Sequence, residues 1–104
     1  MNILFDHGTP APLRHELPSH HVQTAYELGW AQLSNGDLLA AAEPRFDALI
    51  TTDKNLSYQQ NLAKRRLAIL VLPTTSWPKI RLHIQEVRAA VDSLHPGDFR
   101  ELDF

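Results

Sequence analysis

Residues 46–66 read FDALITTDKNLSYQQNLAKRR. The apolar run Ala48-Leu49-Ile50 leads through Thr51 and Thr52 into Asp53, and polar and basic residues follow without a break. Asp47–Thr51 therefore reads as a buried strand that surfaces at an acid. Residues 55–65 have helical character, and Leu67–Leu72 is the most apolar strand of the chain. This strand–helix–strand order is the unit from which parallel sheets are built. Either a solubilising loop or a metal site accounts for a carboxylate at that position.

The same alternation extends outward. Asn2-Ile3-Leu4-Phe5 is a short buried strand, interrupted by Gly8. Thr9 then caps a helix with Pro10 in its first turn and Leu13 and Leu17 on one face, ending at Pro18. Val22–Leu28 alternates as a second strand and closes at Gly29. Ser34-Asn35-Gly36-Asp37 opens a helix through Leu38-Leu39-Ala40-Ala41-Ala42 that stops before Pro44. Ser76 caps the longest helix, whose apolar stripe is Ile80, Ile84, Val87, Val91 and Leu94. His95-Pro96-Gly97 ends it, and residues 99–104 form a last short strand. The expected fold is a single three-layer α/β/α domain, residues 1–104, around a mostly parallel sheet.

Composition bounds the function. A chain of 104 residues holds one modest core. The absence of cysteine excludes disulfides and thiolate metal sites. No apolar run is long enough to span a bilayer, and Asp6 and His7 interrupt the early apolar stretch, so a cytoplasmic location is expected. A formal net charge of −2 gives no general attraction to nucleic acid, so any such contact must use a local basic patch.

In a parallel sheet a helix N-terminus lies at the same edge as the strand C-termini, where such folds bind ligands. Asp6 follows the first strand, Glu27 ends the second, Asp53 follows the third, and Asp37 lies in the first turn of the helix that leads into the third. All four acids are expected at one edge. Each has a plain structural role available. Asp6 and Asp53 suit turns or caps, Ser34-x-x-Asp37 matches a capping box, and Glu27 suits a solvent-facing strand position. As a set they would repel one another unless a cation lay between them, and oxygen donors suit Mg²⁺ or Mn²⁺. Such an ion activates water and shields phosphate, as phosphodiester hydrolysis requires.

The block GDLLAAAEPRFDALITTDKNL resembles the PIN-domain pattern: an aspartate opening a helix, small residues along it, then a strand ending in Thr-x-Asp. The opening MNILFDHGTP with VQTAYELGW resembles the short, VapC-like branch of PIN-like toxins in bacterial toxin–antitoxin systems. The resemblance implies a metal-dependent ribonuclease that cleaves RNA until a cognate antitoxin blocks it. It further implies Asp6, Asp37 and Asp53 as metal-binding catalytic carboxylates, with Glu27 as the fourth acid. This chain departs from the pattern at His7-Gly8, where the branch commonly has Glu-Asn, and in carrying Glu27 at a strand end. A catalytically inactive PIN-like module binding a protein or RNA is the alternative.

Thr52, Lys54, Asn55 and Arg66 are the expected RNA contacts, with Lys64 and Arg65 adding to a basic patch. Tyr58, Gln59, Gln60 and Asn61 offer groups suited to single-stranded RNA, although Tyr58 and Leu62, four apart, equally suit inward packing. His7 is the only histidine beside a proposed site residue. The stripe of the long helix offers a face for a homodimer or for its own sheet. A phosphoacceptor receiver domain fits least, because Asp6 stands without a second acid and Leu72 is followed by Pro73-Thr74-Thr75 rather than lysine.

Overall fold

A computed structural model describes residues 1–56 and 65–104. The strands are β1 (Asn2–Phe5), β2 (His21–Thr24), β3 (Ala48–Thr51), β4 (Ala68–Val71) and β5 (Phe99–Glu101). They form one sheet in the order β2-β1-β3-β4-β5, and every pairing is parallel. The helices are a 3₁₀ helix at Ala11–Glu16, then α1 (Asn35–Ala42), α2 (Trp77–Leu82) and α3 (Ile84–Asp92). The expected α/β class thus holds, with an all-parallel sheet among the described residues. Of the helix expected over residues 55–65, residues 57–64 lie outside those described. Among the described residues no helix is long and apolar enough to cross a membrane.

Alternation of side chains along each strand builds two cores. Ile3, Phe5, Ala48, Ile50, Ala68 and Leu70 face one way, onto Leu13 and Leu17 of the first crossover and Ile80, Val87 and Val91 of α2 and α3. Leu4, Leu49, Ile69 and Val71 face the other way, onto Leu38, Leu39 and Ala42 of α1 and onto Phe46 and Leu56. β3 and β4 are buried on both faces, which explains why every residue in them but Thr51 is apolar. Helical cover on both faces of the sheet is compatible with the expected three-layer arrangement.

Three local expectations are corrected. The strand expected over Val22–Leu28 ends at Thr24, because Thr24 and Glu27 close a turn. Glu27 N–H donates to Thr24 Oγ1 at 3.1 Å, while Thr24 N–H donates to Glu27 Oε1 at 2.9 Å. This reciprocal pair is the capping-box arrangement, which satisfies two backbone donors that a strand would leave to a neighbour. The first helix is a 3₁₀ helix with Pro10 at its N-cap position and no side-chain cap bond. Thr9, expected as the cap, turns its hydroxyl to Asp6 instead. The helix expected from Ser76 to Leu94 divides at His83, whose backbone leaves the helical region (φ −116°, ψ 28°). The His83 ring stacks on Phe104 with centroids 4.4 Å apart, a tertiary contact that local periodicity does not report. The apolar stripe nevertheless continues across the division into one core.

Candidate active site

Asp6 follows β1 and extends the ladder by donating its backbone N–H to the Ile50 carbonyl at 3.2 Å. Its side chain is buried, 7% exposed, and donors surround it. Gly8 N–H donates to Oδ1 at 3.2 Å, and the Thr9 hydroxyl lies 2.7 Å from the same oxygen. The Thr9 hydroxyl also lies 2.8 Å from the Ile50 carbonyl oxygen, so it ties the loop after β1 to β3. Oδ2 accepts from the hydroxyl of Thr51, the last residue of β3. A buried carboxylate needs such partners, and here neutral donors supply them.

Thr51 also reaches the second acid. Its Oγ1 accepts from Asp53 N–H at 3.1 Å, so one hydroxyl joins the Asp6 carboxylate to the Asp53 backbone. Asp53 is half-buried. Its Oδ2 accepts from Asn35 Nδ2 at 2.7 Å and its Oδ1 from Asn55 N–H at 2.9 Å. Asn35 is the first residue of α1, so this bond fastens the N-terminus of that helix to the C-terminal end of β3, as the parallel topology requires. The chain of bonds from Thr9 through Asp6, Thr51 and Asp53 to Asn35 thereby joins three segments distant in sequence.

The other two acids stand differently. Asp37 is exposed in the first turn of α1, where its N–H donates to Ser34 Oγ at 3.3 Å, and Ser34 is the N-cap that the sequence indicated. Glu27 is exposed beyond β2 and takes a two-pronged ion pair from Arg14. Arg14, with the Thr24 N–H second, holds the Glu27 carboxyl at a pKa of about 2, below its ordinary 4.5. Among the described residues no three His, Asp or Glu side chains come together around one point that a metal ion would fill. The site is therefore two acids joined through Thr51, with Asp37 at the helix end and Glu27 engaged elsewhere. All four carboxylate oxygens of Asp6 and Asp53 already accept protein donors, and the described residues form no four-acid cage.

A cleft of about 700 Å³ opens beside Asp6, on the β2 side of the sheet. Asp6, Thr9, Arg14, Glu27 and Tyr26 line it, with His7 and His15 exposed on it. The expected RNA contacts divide between the two sheet edges. Thr52, Lys54 and Asn55 directly follow β3 beside Asp53. Arg66 precedes β4 and so lies at the opposite edge, in a second cleft of about 470 Å³ with Asp47 and His95. Its backbone N–H is taken by Glu43 Oε1 at 2.7 Å. Tyr58, Gln59, Gln60, Asn61 and Lys64 fall outside the described residues. Sequence reasoning missed Thr9, Thr51 as a bridge, and Asn35. For Asn35 the available signal was its place beside the N-cap of a helix that must end at the acidic edge.

Comparison with protein-family models, characterised proteins and solved structures gives no match to this chain.

Proposed function

We propose that the chain is a PIN-like, metal-dependent endoribonuclease, acting in the cytoplasm as the toxin of a toxin–antitoxin pair. The observation that carries the reading is Thr51, whose hydroxyl links the carboxylate of Asp6 to the backbone of Asp53 at the C-terminal edge of a parallel sheet. Asp6 and Asp53, with Asp37 in the first turn of α1, would hold Mg²⁺ or Mn²⁺. The ion supplies an activated water and shields the phosphate. The chain's own residues would position the substrate, with Thr52, Lys54 and Asn55, which adjoin Asp53 in the chain, as its contacts. The toxin assignment and the antitoxin partner rest on the sequence resemblance, whereas a homodimer has only the stripe of the long helix behind it, and that stripe packs into the chain's own core.

The test is cleavage of labelled RNA with and without Mn²⁺, beside an Asp53→Asn variant whose fold is checked by circular dichroism. Cleavage that needs Mn²⁺ and is lost in the variant supports the nuclease. A wild type that neither cleaves RNA nor binds Mn²⁺ calorimetrically ends it. A second reading, a non-catalytic RNA- or protein-binding module, is favoured by Glu27, which Arg14 and Thr24 hold in a structural role. It predicts RNA or partner binding that Asp53→Asn leaves unchanged.

A further inference from the structure

Tyr26 is 81% exposed and stands on the cleft that contains Asp6. Among the described residues it is the one fully exposed aromatic. Phe5 and Phe46 are buried, and Phe99, Phe104, Trp30 and Trp77 are half-buried. A single exposed apolar side chain is ordinary. The backbone beneath this one is fastened unusually well. Thr24 and Glu27 close the turn reciprocally, Arg14 clamps Glu27 from the 3₁₀ helix, and Ala25 N–H donates to the Phe5 carbonyl at 2.8 Å. Trp30 N–H closes the far side onto the Ala25 carbonyl, also at 2.8 Å. The ring therefore stands on a well-bonded turn beside the cleft of about 700 Å³, which lowers the entropy cost of using it as a contact surface.

We infer that Tyr26 is the stacking platform of a base-binding subsite, which takes one unpaired base of a single-stranded nucleic acid in the cleft beside Asp6. The inference rests on the nuclease reading for the identity of the ligand, and it places a contact on the side of the site away from Lys54 and Asn55. An aromatic ring accepts the face of any base, but only when that base is free of its neighbours in a duplex. His7 and His15, exposed on the same cleft, offer ring nitrogens to the base edge or to phosphate oxygens. Among the described residues the one arginine lining the cleft, Arg14, is already paired with Glu27. Binding here accordingly leans on stacking more than on charge, and its affinity changes little with salt compared with a phosphate-tracking groove.

The experiment measures fluorescence anisotropy of a labelled single-stranded RNA pentamer, in EDTA, against wild type and the variants Tyr26→Ala, Tyr26→Phe and Tyr26→Trp. Tyr26→Ala is expected to weaken binding about 5- to 150-fold, the span of one base–aromatic stack. Tyr26→Phe and Tyr26→Trp keep the affinity, and a duplex of the same sequence binds more weakly than the single strand. Equal affinity of wild type and Tyr26→Ala, equal or tighter duplex binding, or no pentamer binding by wild type each overturns the subsite. Mn²⁺-dependent cleavage lost in Asp53→Asn but insensitive to Tyr26→Ala, with unchanged pentamer affinity, leaves the nuclease standing and removes the subsite. Tyr26-dependent binding without any Mn²⁺-dependent cleavage does the reverse.

Discussion

Gly8 lies directly against Thr52: a Cβ at Gly8 would fall 2.5 Å from Thr52 Oγ1 and 3.8 Å from Asp6 Oδ1. The backbone of Gly8 is not in the left-handed region, so what opposes a side chain here is crowding against Thr52. Gly8→Ala is expected to cost about 1 kcal/mol, the low end for overpacking, because half-buried Thr52 can rotate. In a Thr52→Ala background the clash is gone, and Gly8→Ala should become neutral or slightly stabilising by restricting the unfolded chain. Urea melts of the two single variants and the double variant measure the coupling. Additive effects would show that the two residues do not meet.

Thr51 is 2% exposed and serves both acids, so removing its hydroxyl leaves Asp6 Oδ2 short of a donor and Asp53 N–H short of an acceptor. Thr51→Val, which keeps the shape, is expected to lose about 2 kcal/mol for these unmade bonds. Thr51→Ser keeps the hydroxyl and loses only a buried methyl, about 1 kcal/mol. Calorimetric titration with Mn²⁺ should then separate the pair further, with affinity falling in Thr51→Val and kept in Thr51→Ser. If both variants bind Mn²⁺ as the wild type does, the bridge has no part in the site.

The Arg14–Glu27 clamp sets a pH window. The Glu27 pKa is lowered from 4.5 to about 2 in the folded chain, so the folded state binds this proton less readily than the unfolded one. Its contribution to stability is therefore complete above about pH 4.5 and is lost as pH falls from there through 2. Between pH 5 and 8 the turn that carries Tyr26 should not change. Following the Thr24 amide by NMR from pH 7 downward should give a midpoint near 2. A midpoint near 4.5 would mean that Arg14 does not hold the carboxyl in solution.

The parts of this fold that were legible in the sequence are those set by local pattern. β3 and β4 stand out because burial on both faces leaves apolar residues in all but the Thr51 position, and Ser34 announces α1 because its hydroxyl can reach Asp37 N–H. The edge shared by Asp6 and Asp53 followed from topology alone. What the sequence hid were competitions between local signals, and contacts from afar. Thr24-x-x-Glu27 carries a capping box, but it lies inside an alternating run that reads equally well as strand. Thr9 can cap a helix or serve Asp6, and only the approach of β3 decides. The division at His83 involves Phe104, 21 residues away. Arg66 was legible by the same topological rule that grouped the acids, since a residue entering a parallel strand lies at the edge opposite those leaving it.

The three aspartates of the proposed nuclease should be equal for cleavage and unequal for stability. Asp6 is buried with its two oxygens accepting from Gly8, Thr9 and Thr51, so an amide at this position sets an N–H₂ against at least one donor. Asp6→Asn is expected to cost about 2 kcal/mol in EDTA. Asp53, half-buried with one donor on each oxygen, faces the same conflict in a wetter setting, and Asp53→Asn should cost about 1 kcal/mol. Asp37 is exposed, and Asp37→Asn loses only its favourable place near the helix N-terminus, about 0.5 kcal/mol. Mn²⁺-dependent cleavage, measured where all three variants remain folded, should fall together in every one. A graded loss of cleavage that merely follows the stability order would mean that the acids act on RNA only through the fold.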